Sequence, residues 1–167
     1  MEIKTHIPNF VLREATEADV ALILSFIHQL AEYEKLAHEV EATEDVLRQS
    51  LFGDQKVAEV ILGYYQGASV SFALFFHNFS TFLGRPGIYL EDLYVKPEMR
   101  GKGFGKTMLA YLARLALDRK CGRLEWWVLD WNEPALKFYR SMGAIPMDEW
   151  TVQRLAGENL EKLADQF

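Results

Sequence analysis

Only one cysteine, Cys121, stands in the chain. A lone thiol excludes an intramolecular disulfide, and a reducing, cytoplasmic setting is the expectation. Long apolar runs are missing as well: none approaches the roughly 18 residues that a membrane-spanning helix needs. The opening stretch carries Glu2, Lys4, His6 and Pro8 where a leader would be continuously apolar, so neither a signal peptide nor a membrane partner is predicted. Positive charge is short, with 18 Lys and Arg against 24 Asp and Glu, a formal net charge of −6. That balance argues against a nucleic-acid partner and favours small cations. His6, His28, His38 and His77 have no ligand spacing with one another or with Cys121, so no metal site is predicted. Ser69, Ser71 and Ser80 lie near His77 in no triad motif.

What is present suits a single folded domain over residues 1–167. Half the residues are hydrophobic and a quarter charged, enough for a full core without covalent staples. No repeat, low-complexity tract or linker interrupts the chain.

The apolar periodicities alternate between two kinds. Phe10 to Thr16 reads as a strand. Thr16 and Asp19 then form a capping-box-like start to a helix with the stripe Val20, Ile23, Leu24, Ile27, Leu30 and Ala31. A second short helix is expected after Thr43, with Val46, Leu47 and Leu51 inward and Gly53 as its stop. Val57 to Phe76 reads as a hairpin turning at Gln66-Gly67, rich in β-branched and aromatic residues. A loop around Gly84, Arg85, Pro86 and Gly87 then leads to a strand over Ile88 to Val95. Next come a helix with Met108, Leu109, Leu112, Leu115 and Ala116 inward, stopped at Gly122, and a strand over Arg123 to Trp131. Asn132 caps a helix ending at Gly143, and an extended stretch through Asp148 to Leu155 closes the order. The fold class is α/β, a mixed sheet with helices.

The stretch "PEMRGKGFGKTML", Pro97 to Leu109, carries the chemistry. A Walker A loop would need glycine where Arg100 stands, and a dinucleotide fingerprint would need it where Lys106 stands. What survives is R-x-x-G-x-G at Arg100, Gly103 and Gly105, between a strand and a helix. Residues without side chains let successive backbone N–H groups converge on phosphate oxygens, and the helix N-terminus adds its positive dipole end. Lys102 and Lys106 add positive charge.

With those residues in view, "YVKPEMRGKGFGKTML" resembles the acetyl-CoA loop of the GNAT N-acetyltransferases. "YLEDLYV", "WNEPALKFYRSMGA" and "LAEYEKL" resemble the spermidine/spermine (diamine) and thialysine N-acetyltransferase branch, and the likeness runs from about Phe10 to about Leu155. It implies the GNAT acyl-CoA N-acyltransferase fold, a mostly antiparallel twisted sheet with helices on both faces. The implied reaction is direct transfer of acetyl from acetyl-CoA to a primary amine of a small molecule, a diamine, a polyamine or a thialysine-like amino acid.

The resemblance also implies site residues. Main-chain groups of Leu93, Tyr94 and Val95 hold the pantetheine arm and polarise the thioester carbonyl, and the loop of Arg100, Gly101, Lys102, Gly103, Phe104, Gly105 and Lys106 takes the pyrophosphate. Asn132 contacts the coenzyme, which is compatible with its role as a helix cap. Tyr139 protonates the departing thiolate. From helix spacing alone, Tyr139 equally reads as an aromatic packed with Phe138 against the sheet.

Glu91 is implied as an amine-binding residue and as a base acting through water, with Tyr33 and Glu34 holding the far end of a cationic substrate. Strand alternation places Glu91 and Asp92 on opposite faces. Trp126 and Trp127 match the substrate wall, one of them turned away, and Glu149 lines the substrate end. Two departures stand out: Glu32 where polyamine enzymes often have lysine, and Ala135 where they have a small hydroxyl residue. A homodimer is implied, with the terminal stretch contributing to it. Acetylation of a protein lysine or N-terminus, and non-catalytic acyl-CoA sensing, remain the alternative functions.

Overall fold

The computed structural model describes residues 2–167. Six strands lie side by side in chain order: β1 (Glu2–Lys4), β2 (Phe10–Glu14), β3 (Glu59–Tyr65), β4 (Ala68–Ser80), β5 (Arg85–Val95) and β6 (Leu124–Trp126). Neighbours run antiparallel except β5 and β6, which are parallel. The helices are α1 (Val20–Tyr33), α2 (Glu44–Phe52), α3 (Phe104–Asp118), α4 (Glu133–Ser141) and α5 (Glu158–Ala164). The chain divides into two compact units, one up to Trp127 and one from Val128 onward.

In the first unit helices cover both faces of the sheet. On one face Phe26 of α1 stacks on Phe72 of β4 with centroids 5.2 Å apart, and Val20, Ile23, Leu30, Leu47, Leu51, Val60, Leu62 and Tyr94 complete that core. On the other, Phe104 of α3 stacks on Phe10 at 4.2 Å and tilts against Tyr65 at 5.1 Å. Phe10 and Tyr65 are opposite one another in the β2–β3 ladder, so they share that face.

Local chemistry explains several boundaries. Asp19 accepts from the Thr16 N–H and hydroxyl and pairs with Arg13 at 2.8 Å, starting the turn that leads into α1. Thr43 accepts from the Val46 N–H to cap α2. Gln66 and Gly67 both take positive φ, 51° and 81°, which suits a two-residue turn between β3 and β4.

Other expectations need correction. Phe26, outside the expected stripe, is fully buried, whereas Leu24 and Ile27 are half-buried and Val46 is exposed. The run of β5 begins at Arg85, so Pro86 and Gly87 belong to the strand. Helix α3 stops before Gly122: Lys120 takes the left-handed conformation (φ 57°), and the Cys121 N–H donates to the Ala116 carbonyl. The strand expected over Arg123 to Trp131 shrinks to the three residues of β6. No strand forms from Asp148 to Leu155, and α5 follows instead.

Candidate active site

The functional surface begins with an irregularity in β5. Leu74 pairs with Asp92 and Phe75 with Leu90, which leaves Glu91 unpaired as a bulge. The bulge shifts the alternation by one. Asp92 shares the face of Leu74, on the α1 side, while Leu90 shares that of Phe75. Glu91 itself has no partner in the ladder, so the register fixes the face of Asp92 and not that of Glu91. Burial pushes the Asp92 carboxyl up to about 7, and the charges of Glu91 and Glu34 add to the effect. Glu34, following α1, is raised by burial too. Three carboxylates thus converge on the bulge, and Asp92, which held no expected role, sits at their centre.

Beyond the bulge β5 loses its neighbour. Pairing with β6 ends at Leu90 and Trp126, so Glu91 to Val95 have β4 on one side only. The Lys96 N–H donates to Val70 on β4. By alternation the main-chain groups of Leu93 and Val95 point to the open edge, while those of Tyr94 point toward β4. The Tyr94 ring is buried in the α1 core.

The glycine loop follows. Arg100 Nε donates to the Val95 carbonyl at 2.9 Å, and the guanidinium lies over the rings of Tyr33 at 4.5 Å and Tyr94 at 5.6 Å. The end of α1 is thereby tied to the loop, and Tyr33 packs on its arginine. Gly101 and Gly103 hold φ of 77° and 85°, a backbone state that side chains disfavour. A Cβ on Gly105 would touch Val95 at an ordinary 3.6 Å. Gly103 opens α3 with no side-chain cap, so the N–H groups of the first turn face no capping oxygen of their own. Lys102 Nζ lies 5.4 Å from the Tyr65 ring centroid, and Lys106 is exposed. Phe104 contributes only its backbone here, its ring being core. Uncapped N–H groups, left-handed glycines and two lysines fit a diphosphate.

The two tryptophans separate. Trp126 is opposite Leu90 and half-buried, whereas Trp127 is exposed with its edge against Tyr89 at 5.9 Å. Within the second unit Asn132 is buried and caps α4 by accepting from the Ala135 N–H. Tyr139 is on α4 beside Phe138, ring centroids 5.4 Å apart, and Glu149 is exposed in an irregular segment. Asp92 was the functional candidate that sequence reasoning missed; its only signal was a second acid beside Glu91.

Comparison with known proteins identifies the family and the fold. The sequence model described as "Acetyltransferase (GNAT) family" matches residues 24–144. The thialysine N-epsilon-acetyltransferase of Bos taurus is 42% identical over 92% of this chain and 96% of its own length. The L-ornithine N5-acetyltransferase of Arabidopsis thaliana is 32% identical, over 91% of this chain and 86% of its own. Among solved structures, an integron cassette protein from the mobile metagenome of V. cholerae superposes with a TM-score of 0.78 at 28% identity, covering 93% of this chain and 98% of that one.

Proposed function

The chain belongs to the Acetyltransferase (GNAT) family and is an acetyl-transfer enzyme, and from that premise we propose that it acetylates the side-chain amine of a lysine-like amino acid, with acetyl-CoA as donor. The observation that carries this reading is the convergence of Glu34, Glu91 and Asp92 beside the open edge of β5. The bovine relative is named for thialysine and the Arabidopsis one for ornithine. Both are amino acids with a primary amine at the end of the side chain.

Arg100, the loop from Gly101 to Lys106 and the first turn of α3 would hold the pyrophosphate, and the family resemblance gives Asn132 a coenzyme contact. Bound acetyl-CoA supplies an acetyl group on a thioester whose thiol leaves. The Leu93 and Val95 main chain on the open edge holds the pantetheine arm and polarises the thioester carbonyl. An alkylammonium with an ordinary pKa of about 10 has to lose a proton before its nitrogen can attack. Glu34 and Glu91 attract the cation. Asp92, its carboxyl near 7, takes the proton directly or through a water. By the family resemblance Tyr139 is the residue that would supply a proton to the leaving thiol. Trp127 forms the wall along the substrate stem, with Tyr33 fixing the loop arginine.

The three carboxylates also favour a second reading, a diamine or polyamine substrate, whose far ammonium needs no anion-binding partner. A homodimer belongs to the proposal: the large apolar residues exposed from Trp131 onward, Ile145 and Trp150 among them, need a cover. A cytoplasmic location goes with the single cysteine.

Free-thiol release from acetyl-CoA decides among these, measured with thialysine, lysine, ornithine, putrescine, spermidine and a lysine peptide. Turnover of the amino acids is the expected result. Preference for spermidine selects the polyamine reading, and preference for the peptide selects a protein acetyltransferase. Coenzyme binding without turnover of any amine overturns the proposal in favour of a sensor.

A further inference from the structure

A polar tie crosses the sheet on the N-terminal side of the bulge, where β5 still pairs with β6. A Cβ on Gly87 would run into Asn78 Oδ1 and lie 2.9 Å from Arg123 Cγ, so a side chain at this strand position would have to push both aside. Over that gap Asn78 of β4 reaches past β5 to β6 and donates from Nδ2 to Glu125 Oε2 at 2.9 Å. Arg123 Nε stands 2.9 Å from the same oxygen, an ion pair off the line of a hydrogen bond. Glu125 is thus held through one oxygen. Its second oxygen and the terminal nitrogens of Arg123 remain available, both side chains being about one third exposed (34% and 35%).

The tie and the bulge lie at substrate distance. Glu125 is opposite Tyr89 in the parallel register, and alternation puts both on the face of Phe76 and Asp92. Tyr89 lies between the Phe76 ring at 5.1 Å and the Trp127 ring at 5.9 Å. The charges of both Glu91 and Glu125 reach its phenol, so it bridges the two acidic positions. From Tyr89 to the bulge at Glu91 is two strand positions, about 7 Å. A lysine amine nitrogen and its α-carbon are separated by five single bonds, about 6 Å end to end. An amine seated at the bulge therefore brings its α-carbon alongside Glu125 and Arg123, with the methylene stem over Tyr89 and Trp127.

We propose that Arg123 and Glu125 form the head-group subsite, Arg123 taking the α-carboxylate and Glu125 the α-ammonium of an amino-acid substrate. Arg123 can offer two parallel N–H donors to a carboxylate, the bidentate geometry that distinguishes arginine from lysine. Asn78 and Gly87 position the pair. The inference rests on the small-amine acetylation reading above and adds what makes that substrate an amino acid.

Substrate pairs test it without any mutation. Lysinamide lacks the carboxylate charge and cadaverine lacks the carboxylate altogether, while pentylamine also lacks the second ammonium. With the wild-type enzyme, kcat/KM should fall about tenfold or more from lysine to lysinamide, and again from cadaverine to pentylamine. R123Q should raise KM for lysine about tenfold and leave cadaverine within about twofold. E125Q should raise KM for cadaverine and leave pentylamine unchanged. Equal losses on lysine, cadaverine and pentylamine would mean that the tie only fastens β6, and would overturn the subsite. So would wild-type rates that ignore the carboxylate, which need no folded variant to read. Failure of the wild-type enzyme to acetylate any small amine would overturn the parent reading and this one with it, and differs visibly from a loss of discrimination alone.

Discussion

The chain up to Trp127 and the chain from Val128 onward use similar apolar residues to opposite ends. In the first region Phe26, Leu62, Phe72, Ile88 and Leu112 are fully buried. In the second, Trp131, Ile145, Met147, Trp150, Val152 and Leu155 are exposed, and among the described residues there only Asn132 is buried. Composition therefore does not decide burial. Alternation matched to a ladder, or a stripe matched to a helix, brings apolar side chains to a common face, and residues 144–157 form neither element.

The strongest way to break the comparison is to hollow the first region. Phe26→Ala removes a ring stacked on Phe72 and near Tyr94, and should cost about 3–5 kcal/mol in denaturant unfolding. A loss below about 1 kcal/mol would show that this core relaxes as freely as an exposed segment.

A smaller effect, and one that depends on pH, is expected at the bulge. The folded state raises the Asp92 carboxyl from the ordinary carboxylate range to about 7. Its contribution to stability is complete below about pH 4, falls as pH rises, and is lost once pH passes about 7. Asp92→Asn should therefore stabilise the protein at pH 8, by on the order of 2 kcal/mol, and give no gain at pH 4. The same variant should remove activity at pH 8, where wild-type Asp92 is ionised and can accept a proton. Melting curves at the two pH values with parallel thiol-release assays check both statements, and equal melting shifts would refute the raised carboxyl.

Gly87→Ala tests the bare position under the Asn78–Glu125 tie. A new Cβ has to displace Asn78 Oδ1 and the Arg123 stem, at a cost of about 1–2 kcal/mol. Unchanged thermal stability would show that the tie yields without resistance. The smallest change in fold stability is expected in the second region. Trp150→Ser should alter unimolecular unfolding by no more than about 0.5 kcal/mol, yet weaken self-association if a second copy covers that residue. Sedimentation at several concentrations reads the second part. A loss of several kcal/mol in a monomer would mean that Trp150 belongs to a core.

Legibility followed the range of the interaction. The β3–β4 turn at Gln66-Gly67, the Thr43 and Asn132 caps and the glycine loop before α3 were readable because each depends on residues within a few positions. The Glu91 bulge was not readable, since it is a mismatch of register between β4 and β5 and has no local marker. The stacking of Arg100 on Tyr33 joins residues far apart in the chain, and the helical start at Glu158 followed a segment whose alternation resembled a strand.

The sequence by itself determined the succession of strands and helices from Phe10 to the end of α4, the glycine loop before α3 and the family. Glycine φ, caps and periodicity are properties of a residue and its near neighbours. Tertiary structure alone decided which carboxylate gathers the strongest perturbation, which tryptophan faces the open side, and how Asn78, Arg123 and Glu125 meet over Gly87. Those outcomes depend on strand pairing, and a single unpaired residue in a ladder reassigns the faces of the side chains that follow it.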